Sequence, residues 1–171
     1  MTQKSVILLY NGPMNDSTAN TFVNRLSDFY TQQYGLAPVV GRTLGYLSVC
    51  TPAEQSINDI AENLQVSRTA VVKAVRLLER YHLARRERPA GSSVDLVCFT
   101  SDGIEKNGFD ATLYQQQAQL AREGLEISDN LSRTQHEALE KIASLGDFLA
   151  ERVPRLLEEW QQQRIAKKKE Q

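Results

Sequence analysis

Basic and hydroxyl side chains concentrate between Ser67 and Arg88, and their chemistry suits a nucleic acid. Seven basic and two acidic residues give this segment a charge of +5, although the whole chain carries −1. Guanidinium groups can bind guanine edges, ammonium and hydroxyl groups can bind phosphate, and methyl groups can contact thymine. The segment therefore predicts a surface that binds double-stranded DNA. Its candidate residues are Ser67, Arg68, Thr69, Lys73, Arg76, Arg85, Arg86 and Arg88.

Two short helical patterns joined by a tight turn must position the first of these side chains. The apolar face of the first helix consists of Ile57, Ile60, Ala61 and Leu64. Gln65 and Val66 form the turn, and Ser67 is placed to cap the second helix. The inward residues of the second helix are Val71, Ala74, Val75 and Leu78. Its opposite face carries the basic residues, so the order predicts a helix-turn-helix. The alternative is an ordinary solvated helix face.

A β-hairpin is predicted directly after the second helix. Extended runs at 83–88 and 94–100 flank a loop at 89–93 that contains Pro, Gly and Ser, a composition typical of hairpin turns. The arginines near its tip would bind phosphate or enter an adjacent minor groove. For Arg86 the alternative is a structural ion pair with Glu87 or Asp95.

These motifs resemble a known family. GRTLGYL, followed by SINDIAENLQVSRTAVVKAVRLLERYHLARRERPAG, resembles the MarR superfamily of winged-helix repressors, and within it the GbsR-type branch. The resemblance spans Phe22 to Leu125, the last part only by helical pattern, and departs from other helix-turn-helix proteins at Gln65, where they often have glycine. It implies a homodimeric transcription factor that binds a pseudo-palindromic operator and is often released by a small ligand.

Two helices are predicted ahead of this unit. The first begins at Asp16 or Ser17 and ends at Gly35, and the second runs from Pro38 to about Cys50. Gly41 and Gly45 lie one turn apart in the second helix, which favours close contact with another backbone. A ligand pocket between these helices and a helix from Ile104 would be lined by Phe29, Tyr30, Tyr34 and Tyr46. Aromatic residues at these places are equally typical of a core.

Two further helices are predicted in the last third of the chain. The first runs from Ile104 to Ile127, with three apolar residues seven apart that are Leu113, Leu120 and Ile127. The second runs from Ser132 to about Arg164, Pro154 should bend or restart it, and the lysines at 167–169 should fray. Its apolar stripe packs either on the same chain or, as we expect, on a partner subunit. The predicted dimer interface comprises Leu139, Ile142, Leu149, Val153, Leu156 and Trp160.

The predicted fold class is mainly α with a small β-hairpin wing, a winged helix-turn-helix plus long helices that form a dimerisation region. We divide the chain into an N-terminal arm (1–15), a DNA-binding domain with its preceding helices (16–100), and a helical dimerisation region with a basic tail (101–171). The apolar run Val6 to Tyr10 is too short for a membrane span or a secretory signal, so we expect a cytoplasmic protein without a membrane partner. The arm must lie on its own core or on a partner subunit.

Enzyme chemistry, cofactors and metal ions are not predicted. The sequence has no phosphate-binding glycine loop, nucleophile elbow or metal-spaced cluster. Cys50 and Cys98 lie in apolar runs, so we expect buried, inert thiols rather than oxidant sensors. The predicted function is a sequence-specific DNA-binding transcriptional regulator, a homodimeric repressor. The alternative is a winged helix that binds another protein without specific DNA recognition.

Overall fold

The computed structural model describes residues 17–105, 107, 109–127 and 131–169, which form two compact units that divide after Gly103. The predicted arm and the possible helix start at Asp16 lie outside these residues. The elements in chain order are α1 (Ser17–Tyr34), α2 (Pro38–Val49), β1 (Gln55–Ser56), α3 (Ile57–Leu64), α4 (Arg68–Arg80), β2 (Ala84–Glu87), β3 (Leu96–Phe99), α5 (Ala111–Ile127) and α6 (Arg133–Lys169). The predicted class, mainly α with a small β wing, is confirmed.

Helices α1 and α2 pack with their backbones in close contact. A Cβ atom added at Gly41 would lie 2.6 Å from the Cα of Ser27, and one at Gly45 would lie 3.0 Å from the Cα of Val23. The buried Ser27 hydroxyl donates to the carbonyl of Pro38 at 2.9 Å. The predicted role of the two glycines is therefore confirmed, since no larger residue fits at Gly41 without a backbone shift.

Helices α3 and α4 both begin at a serine that caps them through its side chain. Ser56 and Asp59 form a reciprocal capping box with two N–H to oxygen distances of 3.1 Å. Ser67 accepts a hydrogen bond from the N–H of Ala70 at 3.2 Å, which confirms the predicted cap. The predicted inward residues enter one apolar core, with Ala61 half-buried and Val71, Ala74, Val75 and Leu78 fully buried.

The wing belongs to a three-stranded antiparallel sheet in the order β1-β3-β2. Val97 at its centre is fully buried and pairs with Gln55 on one side and Arg86 on the other. The strands are shorter than the predicted runs, and β1 was not predicted. Two residues directly before a helix cap are too few to show the alternation that identifies a strand.

Helix α5 begins at Ala111, so the predicted helical start at Ile104 is wrong. Asp110 caps the N-terminus of α5, since its carboxylate accepts a hydrogen bond from the N–H of Thr112 at 2.9 Å. The described residues between 104 and 110 form turns or irregular structure.

Helix α6 is longer than predicted at its C-terminal end. Ser132 caps it by accepting from the N–H of Gln135 at 3.3 Å, and the helix continues through Pro154 to Lys169. The expected restart at Pro154 is wrong, because a missing N–H removes one hydrogen bond and leaves the later ones in place. The frayed lysine tail is also wrong: residues 167–169 form the last turn, where the helix dipole favours cations.

Small side chains allow α5 and α6 to pack tightly. A Cβ added at Gly146 would lie 2.8 Å from the carbonyl oxygen of Tyr114 and 2.9 Å from the Cβ of Ala118. Of the predicted dimer stripe, Val153 is buried and Leu139 and Leu149 are half-buried, whereas its exposed members are Ile142, Leu156 and Trp160. The residues of α5 that lie seven apart are 56%, 67% and 83% exposed. The unit thus buries only part of its apolar surface.

We predict that Gly41→Ala lowers the free energy of unfolding by about 1–3 kcal/mol, because the added methyl group meets the backbone of Ser27. Gly45→Ala should cost less, since its nearest atom is farther away. Urea denaturation followed by circular dichroism measures both. Gly124→Ala is the control: its Cβ would meet only the Leu139 methyl groups at 3.4 Å, and alanine favours a helix by up to about 1 kcal/mol. Equal stability of the Gly41→Ala protein and the wild type would contradict the packing.

Candidate nucleic-acid interface

The exposed face of α4 carries the first group of predicted residues. Arg68, Thr69, Lys73 and Arg76 are all exposed, and Val72 between them is half-buried. In the part of the chain that the structure describes, no carboxylate forms an ion pair with Arg68, Lys73 or Arg76. Unpaired cations and a hydroxyl on one helix face are suited to contact with phosphates and base edges. Ser67 lies at the start of this face, where its side chain caps the helix.

The turn that leads into α4 contains a left-handed residue other than glycine. Gln65 has φ 54° and ψ 45°. Its N–H donates to the carbonyl of Glu62 at 3.1 Å, and the N–H of Val66 donates to that of Ala61 at 3.0 Å. The departure from glycine therefore leaves the usual C-terminal helix cap intact. A left-handed residue with a Cβ costs roughly 1–2 kcal/mol, which neighbouring contacts must offset.

Each wing arginine, by contrast, has a carboxylate partner. The Nε of Arg85 lies 2.8 Å from Glu87, and the Nε of Arg88 lies 2.6 Å from Asp95. The hydrogen bond from Arg88 lowers the pKa of the Asp95 carboxyl group. Both arginines are exposed, so these ion pairs contribute little to stability and can be exchanged for phosphate contacts.

Arg86 occupies a different environment from the other two arginines. Its Nη2 atom lies 3.2 Å from Glu79 of α4, its side chain is only 26% exposed, and its Nε is buried without a hydrogen-bond partner among the described residues. The alternative of a structural ion pair is therefore observed, but with Glu79 instead of Glu87 or Asp95. Strand alternation explains the difference: Ala84 and Arg86 point to the core side of β2, and Arg85 points away from it.

Two supporting residues were missed by sequence reasoning, Glu79 and Arg42. Arg42, in α2, donates from its Nη2 to the carbonyl of Leu64, the last residue of α3, at 2.8 Å. Glu79 could have been found, because α4 is followed so closely by β2 that its last turn must meet the strand. No sequence signal identifies the partner of Arg42, since the two residues are 22 positions apart and belong to different helices.

The four residues of the predicted ligand pocket lie in two places, one in the core and three at the end of α1. Tyr46 is 4% exposed and belongs to the core, where its hydroxyl donates to the side-chain oxygen of Gln55 at 2.8 Å. The three other aromatic residues form one cluster at the end of α1, with ring centroids 5.4–6.1 Å apart. A surface groove along α1 shares only Phe29 with the predicted lining.

The two cysteines are half-buried, less than the full burial that we predicted. Their thiols face backbone carbonyls: Cys50 that of Leu47 and Cys98 that of Arg85, each at 3.7 Å. Burial raises the pKa of Cys50 to about 11. No group of three His, Cys, Asp or Glu side chains in the described ranges could hold a metal ion.

Known proteins resemble different parts of this chain. A family model described as MmpR5-like MarR family transcriptional regulator matches residues 110–163, or 54 of the 171 residues, which cover α5 and most of α6 but not α3 or α4. The crystal structure of a transcriptional regulator superposes with a TM-score of 0.73 at 20% identity, over 85% of this chain and 99% of that one. The two proteins therefore share the fold. No curated protein sequence matches this chain.

Two other solved structures are similar at a lower level. A complex of S. aureus MepR with DNA has a TM-score of 0.40 at 24% identity, over 78% of this chain and 92% of MepR. A MarR/EmrR family transcriptional regulator from Acinetobacter sp. ADP1 has a TM-score of 0.39 at 21% identity, over 71% of this chain and 81% of that one. These scores are too low to bear on the fold or the function. No helix in the described part of the chain is both long and apolar enough to cross a lipid bilayer.

We predict that Cys50 reacts slowly with iodoacetamide at pH 8, because its raised pKa leaves about 100-fold less thiolate than an ordinary cysteine has. The thiolate fraction grows with pH, so the rate should rise up to about pH 11. A Cys98→Ser variant isolates this thiol, and mass spectrometry measures its labelling. The same variant in urea is the control and should react at an ordinary rate. Rapid labelling of the native protein at pH 8 would contradict a protected thiol.

Proposed function

We propose that this chain is a MarR-family transcriptional regulator that recognises specific DNA sequences as a homodimer. The observation that carries the proposal is the contrast between two sets of basic residues on one unit. Arg68, Lys73 and Arg76 on α4 are exposed and unpaired with carboxylates of the described residues, whereas all three wing arginines are paired. Unpaired cations raise the local positive potential, which attracts the DNA backbone.

We assign base recognition to α4 and backbone contacts to the wing. Arg76 and Arg68 have the planar donors that bind guanine O6 and N7, and Thr69 and Lys73 suit phosphate or base edges. Arg85 and Arg88 would exchange exposed carboxylate partners for phosphate oxygens. We assign Arg86 a structural role, because it is half-buried and bound to Glu79.

The family assignment is supported by the match of the family model to α5 and α6, and by the shared fold of a transcriptional regulator. The GbsR-type branch remains a prediction that follows from the GRTLGYL motif and from the recognition helix and basic wing after it. We also propose that the protein represses transcription by binding an operator, and that a small ligand releases the protein from that operator. The aromatic cluster of Phe29, Tyr30 and Tyr34 is the proposed ligand site, because its two outer rings are exposed and Tyr30 packs on the core.

The homodimer is supported by the apolar surface that the second unit leaves exposed. On α5 this surface comprises Leu113, Leu120 and Ile127, and on α6 it comprises Ile142, Leu145, Phe148, Leu156, Trp160 and Ile165. So many large apolar side chains on two neighbouring helices are typical of an interface. We therefore narrow the predicted interface to its exposed members, Ile142, Leu156 and Trp160, and add the α5 residues. A two-fold dimer would place two α4 helices roughly 34 Å apart, which suits a pseudo-palindromic operator.

We predict that Arg76→Ala weakens binding to a site selected from random DNA by about 1–3 kcal/mol, because it removes a bidentate contact to guanine. Arg85→Ala should weaken binding to all sequences alike and reduce the slope of log affinity against log salt by about one unit. Gel-shift titration at several salt concentrations measures both effects.

Arg155→Ala on α6 is the matched control for these variants, since it removes the same charge from another exposed site. It should leave both affinities unchanged. If the wild-type protein selects no site and its binding disappears at moderate salt, the DNA-binding function is wrong. The protein-interaction function would then be the better explanation of the exposed apolar surface.

We predict that Leu120→Glu shifts the protein from dimer to monomer, because a carboxylate in an apolar interface loses its hydration without gaining a partner. Sedimentation equilibrium at several protein concentrations measures the dissociation constant. Gln115→Glu is the control, as it adds the same charge at an exposed polar position of α5. Equal dissociation constants for Leu120→Glu and the wild type would exclude this surface as the interface.

A further inference from the structure

Arg42 reaches from α2 to the end of α3. Its Nη2 atom donates to the carbonyl of Leu64 at 2.8 Å, and its Nε is buried without a hydrogen-bond partner among the described residues. The Arg42 side chain is therefore half-buried, and it points to the side of the turn that faces the protein interior. Because the Nε atom is buried, Arg42 is poorly placed to contact DNA directly.

The bond from Arg42 adds to the capping of α3. The last four carbonyls of a helix have no partner within the helix. Those of Ala61 and Glu62 accept from the N–H groups of the turn, and the carbonyl of Leu64 accepts from the guanidinium of Arg42. A bond from a charged donor is stronger than one between neutral groups. Arg42 thus stabilises the helix end that leads directly into the left-handed Gln65.

The conformation of this turn sets the direction of α4. Arg68, the first residue of α4, comes three positions after Gln65, and the Leu64 side chain is fully buried on the other side. A change at Gln65 would therefore rotate α4 relative to α3. The position of Arg42 is itself fixed, because the neighbouring Gly41 holds α2 against the backbone of α1.

We propose that Arg42 is a positioning residue for DNA recognition. It holds the turn at Gln65 in the left-handed conformation, a conformation that glycine adopts without help. Arg42 thereby compensates for the missing glycine of this helix-turn-helix and fixes the angle at which α4 meets DNA. This inference rests on the proposed function for its consequence at DNA, but its claim about the turn stands on the contacts of Arg42 alone.

The test uses Arg42→Met, which keeps an unbranched apolar side chain at this position and removes the donors of the guanidinium group. We expect affinity for the selected DNA site to fall about tenfold, whereas affinity for random DNA and the salt slope stay unchanged, because no phosphate contact is lost. Gln65→Gly in the same protein should restore most of the affinity, since glycine no longer needs the bond from Arg42. Gel-shift titration at several salt concentrations measures all three quantities.

Two controls make the outcomes specific. Arg25→Met removes the same charge from an exposed position of α1 and should leave both affinities unchanged. Arg42→Lys retains a charged donor group on a single nitrogen and should show a smaller loss of affinity that Gln65→Gly also restores. It carries the test if Arg42→Met does not fold. An equal loss for random DNA with a lower salt slope would overturn the proposal by making Arg42 a phosphate contact. Failure of Gln65→Gly to restore affinity would overturn it as well.

Thermal unfolding separates this inference from the proposed function. If the wild-type protein selects no DNA site, the proposed function fails, but the turn can still be tested. Arg42→Met should then lower the melting temperature by about 5 °C, and Gln65→Gly should recover most of that loss. Additive effects of the two substitutions on the melting temperature would overturn the claim that Arg42 holds the turn.

Discussion

Complete burial of one face of α4 determines the remaining features of the first unit. Val71, Ala74, Val75 and Leu78 recur at three- and four-residue spacing and are fully enclosed. A helix that buries one face this completely has a fixed rotation about its axis, so the opposite face must point outwards. The exposure of Arg68, Lys73 and Arg76 is thus a consequence of core packing, whereas the angle between α3 and α4 depends on the turn at Gln65.

The basic residues of the wing and those of α4 differ in whether they are paired with carboxylates. The wing arginines lie next to carboxylates on the same hairpin or on α4, so the hairpin adds little net charge. The cations of α4 have no such partner among the described residues. In the proposed function, the electrostatic attraction for DNA would therefore arise mainly from α4, and the wing would exchange its own ion pairs for contacts with phosphate.

The second unit shows how small residues at a contact force large ones outwards. Gly146, Ala118 and Ala143 allow α5 and α6 to approach closely, and this contact leaves no room for bulky side chains. The Leu and Ile residues of α5 that lie seven apart consequently remain exposed. An apolar surface of this kind is costly in water, and association of two copies would remove it from solvent.

Periodicity and caps are local properties, so the sequence by itself determined the helix-turn-helix, its buried face and the capping role of Ser67. The role of Gly41 and Gly45 could also be predicted from the sequence, since a close backbone contact explains two glycines one turn apart in a helix. The tertiary structure alone decided the partner of Arg42, the core position of Tyr46 and the short strand β1. Each of these depends on residues that are distant in sequence, and such contacts leave no periodic signal in the chain.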